Sequence, residues 1–253
     1  MMLNFSETAV KENKPILFIH GIGAGRWMWW QQEKAFSDYP IILVDLPGHG
    51  KSVSVPWISL MDTTDMIAKE VIKNRTVHVV GISLGGHVAL ELAKRHPDKI
   101  LSAFISGITA TPMRFQFLLK MQSRIVQREI QNERYLNRVA RDYYHLPPDK
   151  AAEFRANYQL LTRKTYETIW KEIMQFQLDQ SYGNIAVPCL FTAGDQESPG
   201  ILEAVSLAPE LVPNSVGRLI PGAQHAWPVQ KAHEFNQLLR DWLNCLPHEK
   251  HGE

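Results

Sequence analysis

Six short runs of apolar residues recur along the chain, each closed by glycine or charge. They are Pro15–Ile19, Ile41–Val44, Val77–Val80, Ile100–Ile105, Ala186–Thr192 and Val216–Ile220. None alternates apolar with polar, so each reads as a strand covered on both faces, the pattern of a parallel sheet between layers of helix. Between them lie helical stretches. Val88, Ala89, Leu90, Leu92 and Ala93 follow the third run at helical spacing until Pro97 stops them. The pattern predicts an α/β fold with a mostly parallel, doubly wound sheet. In such sheets ligands bind beyond the carboxyl ends of the strands. His20-Gly21-Ile22-Gly23, Asp45–Gly50, Gly81–Gly86 and Pro221–His225 all stand at such ends.

Residues 111–183 break the rhythm. They hold no convincing strand, eight arginines and many aromatics, among them Phe115, Phe117, Tyr135, Tyr143, Tyr144, Phe154, Tyr158, Tyr166, Trp170 and Phe176. An inserted helical lid is expected there, split into two parts at Pro147-Pro148. Residues 1–110 and 184–253 would form the core. Most lid aromatics are expected to pack rather than to touch substrate. Trp27-Met28-Trp29-Trp30 reads as core packing or as the wall of an apolar site.

Composition narrows the function. Lys and Arg total 27 against 26 Asp and Glu, so no global field draws the chain to nucleic acid or to an anionic membrane. No apolar run is long enough to span a bilayer, and Met1–Glu7 lacks the pattern of a secretory leader. The two cysteines, Cys189 and Cys245, cannot staple a fold, and Cys189 reads as a buried thiol. A soluble, cytoplasmic protein acting on a small molecule is expected. The tail from Pro247 to Glu253 is polar and expected to fray.

Candidate chemistry centres on Ser83, which lies in Gly81-Ile82-Ser83-Leu84-Gly85 between a strand and a helix. This G-x-S-x-G turn strains the serine backbone and exposes its hydroxyl, as a nucleophile requires. A serine nucleophile needs a base, and the base an orienting acid. His225 is the histidine that follows a late strand. Glu197 and Asp195 follow the preceding one, in Gly194-Asp195-Gln196-Glu197. His78, His87, His96, His145 and His233 sit within a strand, on helices or on expected surfaces, where structural roles are the ordinary reading.

With these motifs in order, the chain resembles the α/β-hydrolase superfamily, in its branch of small lidded serine esterases and acyl hydrolases. His20–Gly23 looks like the family's oxyanion loop, Asp45–Ser52 like its D-x-P-G-H-G-x-S signature, Gly81–Gly86 like its nucleophile elbow and Pro221–His225 like its histidine loop. The resemblance gives Asp45 and His49 a structural role only. Its register, three positions after the glycine, favours Glu197 as the triad acid with Asp195 as the alternative. The chain departs from the family at its start: only about a dozen residues precede Pro15, so the family's opening antiparallel hairpin is expected to be shortened to one strand. The expected catalytic set is Ser83, His225 and Glu197, with the backbone N–H groups of Ile22 and Leu84 as oxyanion donors. No metal and no organic cofactor is required. The expected activity is cleavage of a carboxylester-type bond in a small apolar substrate through an acyl-enzyme. The alternatives are a carbon–carbon bond hydrolase or enol-lactonase acting on a carboxylate-bearing substrate, and a non-catalytic ligand-binding receptor. A serine at position 83 argues against the dehalogenase and epoxide hydrolase relatives, which use a carboxylate there.

Overall fold

A computed structural model describes residues 2–10, 13–112, 124 and 128–246 of the chain. The strands are β1 (Phe5–Glu7), β2 (Ile16–Ile19), β3 (Ile41–Val44), β4 (Val77–Ile82), β5 (Ile100–Ser106), β6 (Cys189–Gly194) and β7 (Ser215–Ile220). They form one sheet in the order β1-β3-β2-β4-β5-β6-β7. Only β1 is antiparallel, pairing with β3, and among the described residues it is the single strand ahead of β2. The flanking helices are α1 (Trp30–Ala35), α2 (Leu60–Met66), α3 (Leu84–Arg95), α4 (Glu133–Arg138), α5 (Pro148–Leu160), α6 (Arg163–Ile173), α7 (Pro199–Leu211), α8 (Trp227–Gln230) and α9 (Ala232–Cys245).

Two-sided burial shows in alternate residues of β2. Ile16 and Phe18 join one apolar cluster with Trp29, Phe36, Phe104, Phe235 and Leu239, whereas Leu17 and Ile19 join another with Val88, Leu92, Ala103 and Ile105. Trp27, Met28 and Trp29 are buried in the first cluster and are core, whereas Trp30 is half-buried. The last run departs from expectation. β7 is the edge of the sheet, and its Val216 and Leu219 are 54% and 43% exposed, because one flank of an edge strand has no neighbour to cover it.

Between β5 and β6 the described residues contain helices and no strand. The single division expected at Pro147-Pro148 is present, but the helices also break at Gln131-Asn132 and, after Leu160, at Leu161-Thr162. There Leu161 leaves the helix in an extended conformation, and the Thr162 hydroxyl accepts the Thr165 N–H at 3.2 Å to start α6. Helix α4 continues as a wider turn to Tyr143. Phe154 is fully buried, with its ring edge-on to Trp27 and tilted against Tyr144 and Tyr158, so this part of the insertion seals onto the core. Phe115, Phe117 and the tail from Pro247 lie outside the described residues. No helix among those described is long and apolar enough to cross a membrane.

Candidate active site

Ser83 sits between β4 and α3 with φ 56° and ψ −120°, a left-handed conformation costly for a side chain. Two close approaches force this turn. A Cβ on Gly81 would fall 2.0 Å from the Gly85 carbonyl oxygen, and one on Gly85 would fall 2.1 Å from that of Ile19. Only glycines let strand, turn and helix close up this tightly. The Ser83 N–H donates to the Ser106 carbonyl at 2.8 Å, tying the turn to the end of β5.

The loop after β2 runs beside this serine: a Cβ on Gly21 would lie 3.3 Å from Ser83 Cβ. His20 Nδ1–H donates to Gly21 O at 2.7 Å, and His20 Nε2 accepts the Leu46 N–H at 3.0 Å. Ile22 follows directly in this loop, and Leu84 opens α3, so its N–H has no acceptor within the helix. Both expected oxyanion donors therefore belong to segments that flank Ser83.

His225 Nδ1 is hydrogen-bonded to Glu197 Oε2. The other carboxylate oxygen, Oε1, accepts the Gly194 N–H at 3.0 Å, and the Glu197 N–H donates back to Gly194 O at 3.2 Å. The Glu197 side chain is 1% exposed, whereas His225 is 39% exposed. Asp195 is exposed, and its backbone N–H bonds Ile220 O at 3.1 Å, in line with a turn residue. Of the two carboxylates, Glu197 is the one paired with the imidazole. With Nδ1 held there, Nε2 is the nitrogen left for a second partner.

One residue at this site carried no motif. Gly107, at φ +66°, packs against the His225–Glu197 pair; a Cβ would lie 2.8 Å from His225 Cε1 and 3.0 Å from Nδ1. It directly follows Ser106, whose carbonyl holds Ser83 and whose hydroxyl accepts Trp227 Nε1–H at 2.9 Å. The end of β5 thus joins both halves of the site. Its position at a strand terminus was the available signal.

The remaining polar groups are scaffold. Asp45 accepts from Arg26 N–H, Arg26 Nε and Lys51 N–H at 3.0–3.1 Å, closing the loop after β3. His49 donates to Pro47 O and faces the His20 ring at 5.1 Å; burial pushes it down to about 3, and burial also lowers His20. His78 bonds Ser102 Oγ at 2.9 Å, and His96 pairs with Asp65. Burial raises the Cys189 thiol to about 12, so it stays protonated and inert. Among the described residues no group of three or more His, Cys, Asp and Glu could hold a metal.

A cleft of about 230 Å³ opens where the insertion meets α3, walled by Trp57, Leu60, Leu84, His87, Ile173 and Phe176. Its carboxylate, Glu172, accepts Trp57 Nε1–H at 3.1 Å and the Leu60 N–H at 2.7 Å, which fastens α6 to the start of α2.

Comparison with known proteins bears on the family and the fold. Over 137 residues the chain is 36% identical to an AB hydrolase superfamily protein of Gibberella zeae, covering 49% of each. Over 95 residues it is 40% identical to a pimeloyl-[acyl-carrier protein] methyl ester esterase of Neisseria meningitidis, covering 37% of this chain and 36% of that protein. These alignments span half or less of the curated relatives. A thermophilic esterase from Thermogutta terrifontis superposes with a TM-score of 0.76 over 96% of this chain and 93% of its own, at 19% identity, which speaks to the fold. Residues 16–238 match the model of the alpha/beta hydrolase family, and the chain belongs to that family.

Proposed function

We propose that this alpha/beta hydrolase is a serine esterase that cleaves a carboxylester of a small, apolar acyl group through an acyl-enzyme. The observation that carries the reading is the junction at β5. Ser106 holds the strained Ser83 through its carbonyl, and Gly107 packs on an imidazole already paired with a buried carboxylate.

Ser83 Oγ attacks the ester carbonyl carbon while His225 Nε2 takes the hydroxyl proton. Glu197 keeps the imidazole in the Nδ1–H tautomer and stabilises the imidazolium that forms. Charge on the carbonyl oxygen is met by the Ile22 and Leu84 N–H groups, each such donor being worth about 3 kcal/mol of barrier. Collapse expels the alcohol, which receives the proton from His225. Water then attacks the acyl-enzyme with His225 again as base, releasing the acid and restoring Ser83.

The cleft beside Leu84 supports this substrate class. Its walls are mostly apolar, and its carboxylate would repel an acidic acyl group. Helix α6, which supplies Glu172 and Ile173, makes the insertion a lid that shapes the acyl preference. This favours uncharged esters over the carboxylate-bearing substrates of carbon–carbon hydrolysis or enol-lactone opening. A series of 4-nitrophenyl esters, run beside esters with a terminal carboxylate, tests it. Faster turnover of short to medium neutral acyl chains is expected. A preference for the carboxylate-bearing series would overturn the substrate class, and tight ligand binding without turnover would overturn the enzymatic reading.

A further inference from the structure

We infer that His87, one helical turn beyond Ser83, is a positioning residue that fixes the peptide carrying the Leu84 N–H; this rests on the reading of Ser83 as nucleophile and Leu84 N–H as oxyanion donor. An ordinary helix start gives the Ser83 carbonyl one donor, here the His87 N–H at 3.1 Å. In this chain the His87 side chain turns back to the same oxygen, and its Nδ1 lies 2.9 Å away. Both lone pairs of that carbonyl are then engaged by one residue. The Ser83–Leu84 peptide is planar and trans, so its C=O and N–H point in opposite directions from one rigid unit. Clamping the oxygen therefore aims the Leu84 N–H.

The ring itself is held. It is buried, stands edge-on to Phe176 at 4.6 Å, and brings Nε2 within 3.5 Å of the Thr109 hydroxyl. Burial, with His225 nearby, pushes His87 down to about 4, so it is neutral at pH 7 with a single N–H. The Ser83 carbonyl can only accept, which places that hydrogen on Nδ1 and leaves Nε2 to accept from Thr109. An aliphatic side chain would fill the same position on α3 without the desolvation penalty of a buried imidazole. The use of Nδ1–H explains a polar residue among Leu84, Val88 and Leu92.

The same construction occurs on the other side of Ser83. His20, also buried, donates from Nδ1 to Gly21 O at 2.7 Å, the carbonyl of the peptide that ends in the Ile22 N–H. Each peptide assigned to the oxyanion hole is thus gripped at its carbonyl by a buried imidazole. Oxyanion donors act by being fixed before charge develops, and loosening one forfeits part of its effect without altering substrate binding.

The test uses three variants of the full chain. Asn at this position can present its amide N–H where Nδ1–H stands, whereas Leu offers no donor and Gln carries its amide one bond further out. With a short-chain 4-nitrophenyl ester, His87→Leu and His87→Gln should each lower kcat about tenfold, a larger effect than any change in KM from the altered cleft wall, and His87→Asn should recover most of the kcat loss. Affinity for a trifluoromethyl ketone, which forms an oxyanion on Ser83, should fall in parallel with kcat/KM. The unreactive methyl ketone reports any change in the cleft wall, to which His87 also contributes, and its affinity should fall by less than that of the trifluoromethyl ketone. The Ser83 carbonyl ¹³C and Leu84 amide ¹⁵N resonances should shift in the Leu and Gln variants and return in the Asn variant, a readout that needs no turnover. Should the Leu variant fail to fold, the contrast between Gln and Asn decides. Wild-type turnover with equal kcat in all variants, equal losses in Asn and Gln, or a loss confined to KM would overturn this inference alone. Absence of any ester turnover by the wild type would overturn the proposed function and this inference together.

Discussion

Gly107 and His225 are in contact so close that the glycine has no room for a methyl group: a Cβ there would stand 2.8 Å from the ring Cε1. The backbone at φ +66° adds a second reason for glycine. Gly107→Ala should therefore displace the imidazole, and a shift of about 1 Å in a reacting group costs on the order of 100-fold in rate. Steady-state kcat on an aryl ester, with circular dichroism to verify folding, checks this. Activity within a few-fold of wild type would show that the contact does not hold the ring.

The acid is separable from its neighbour. Glu197→Gln removes the carboxylate that accepts from His225 Nδ1, and loss of the correct tautomer in such triads costs about 10⁴ in kcat. Asp195→Asn alters an exposed turn side chain and should change kcat by less than about threefold. Comparable losses in the two variants would contradict the assignment of Glu197.

Stability should depend on pH through buried histidines. His49 is held down to about 3, and His78 and His87 to about 4, mainly by burial. In the unfolded chain each titrates near 6.5, so between pH 6.5 and 4 the unfolded state binds protons that the folded state refuses. Their contribution is full above pH 6.5 and is lost as pH falls through this window, by about 3 kcal/mol at most for fully buried His87. The urea midpoint should decline steadily from pH 6.5 to 4.5. A level midpoint across that range would contradict the neutral, buried state of these rings.

The sheet was readable because two-sided burial leaves an unbroken apolar run, as in Ile16–Ile19 and Ile41–Val44. β7 was misread because an edge strand and a central one look alike as short apolar runs; exposure of Val216 depends on what fails to pair beside it. The further breaks in the insertion were overlooked because a capping asparagine or threonine is a weaker mark than a double proline. Ser83, His225 and Glu197 could be named as candidates since each sits just past a strand. Gly107 and His87 could not. The first is fixed by a contact with a ring far along the chain, and the second occupies an ordinary helical position whose ring orientation the spacing does not reveal.

The central claim is that Ser83 is the covalent nucleophile, and mass spectrometry of the protein treated with a fluorophosphonate tests it most directly. The account expects a single adduct, mapped to the peptide containing Ser83 and absent from a folded Ser83→Ala variant, with labelling strongly slowed by His225→Ala. An adduct that persists in Ser83→Ala, or one mapped to another residue in the wild type, would contradict it.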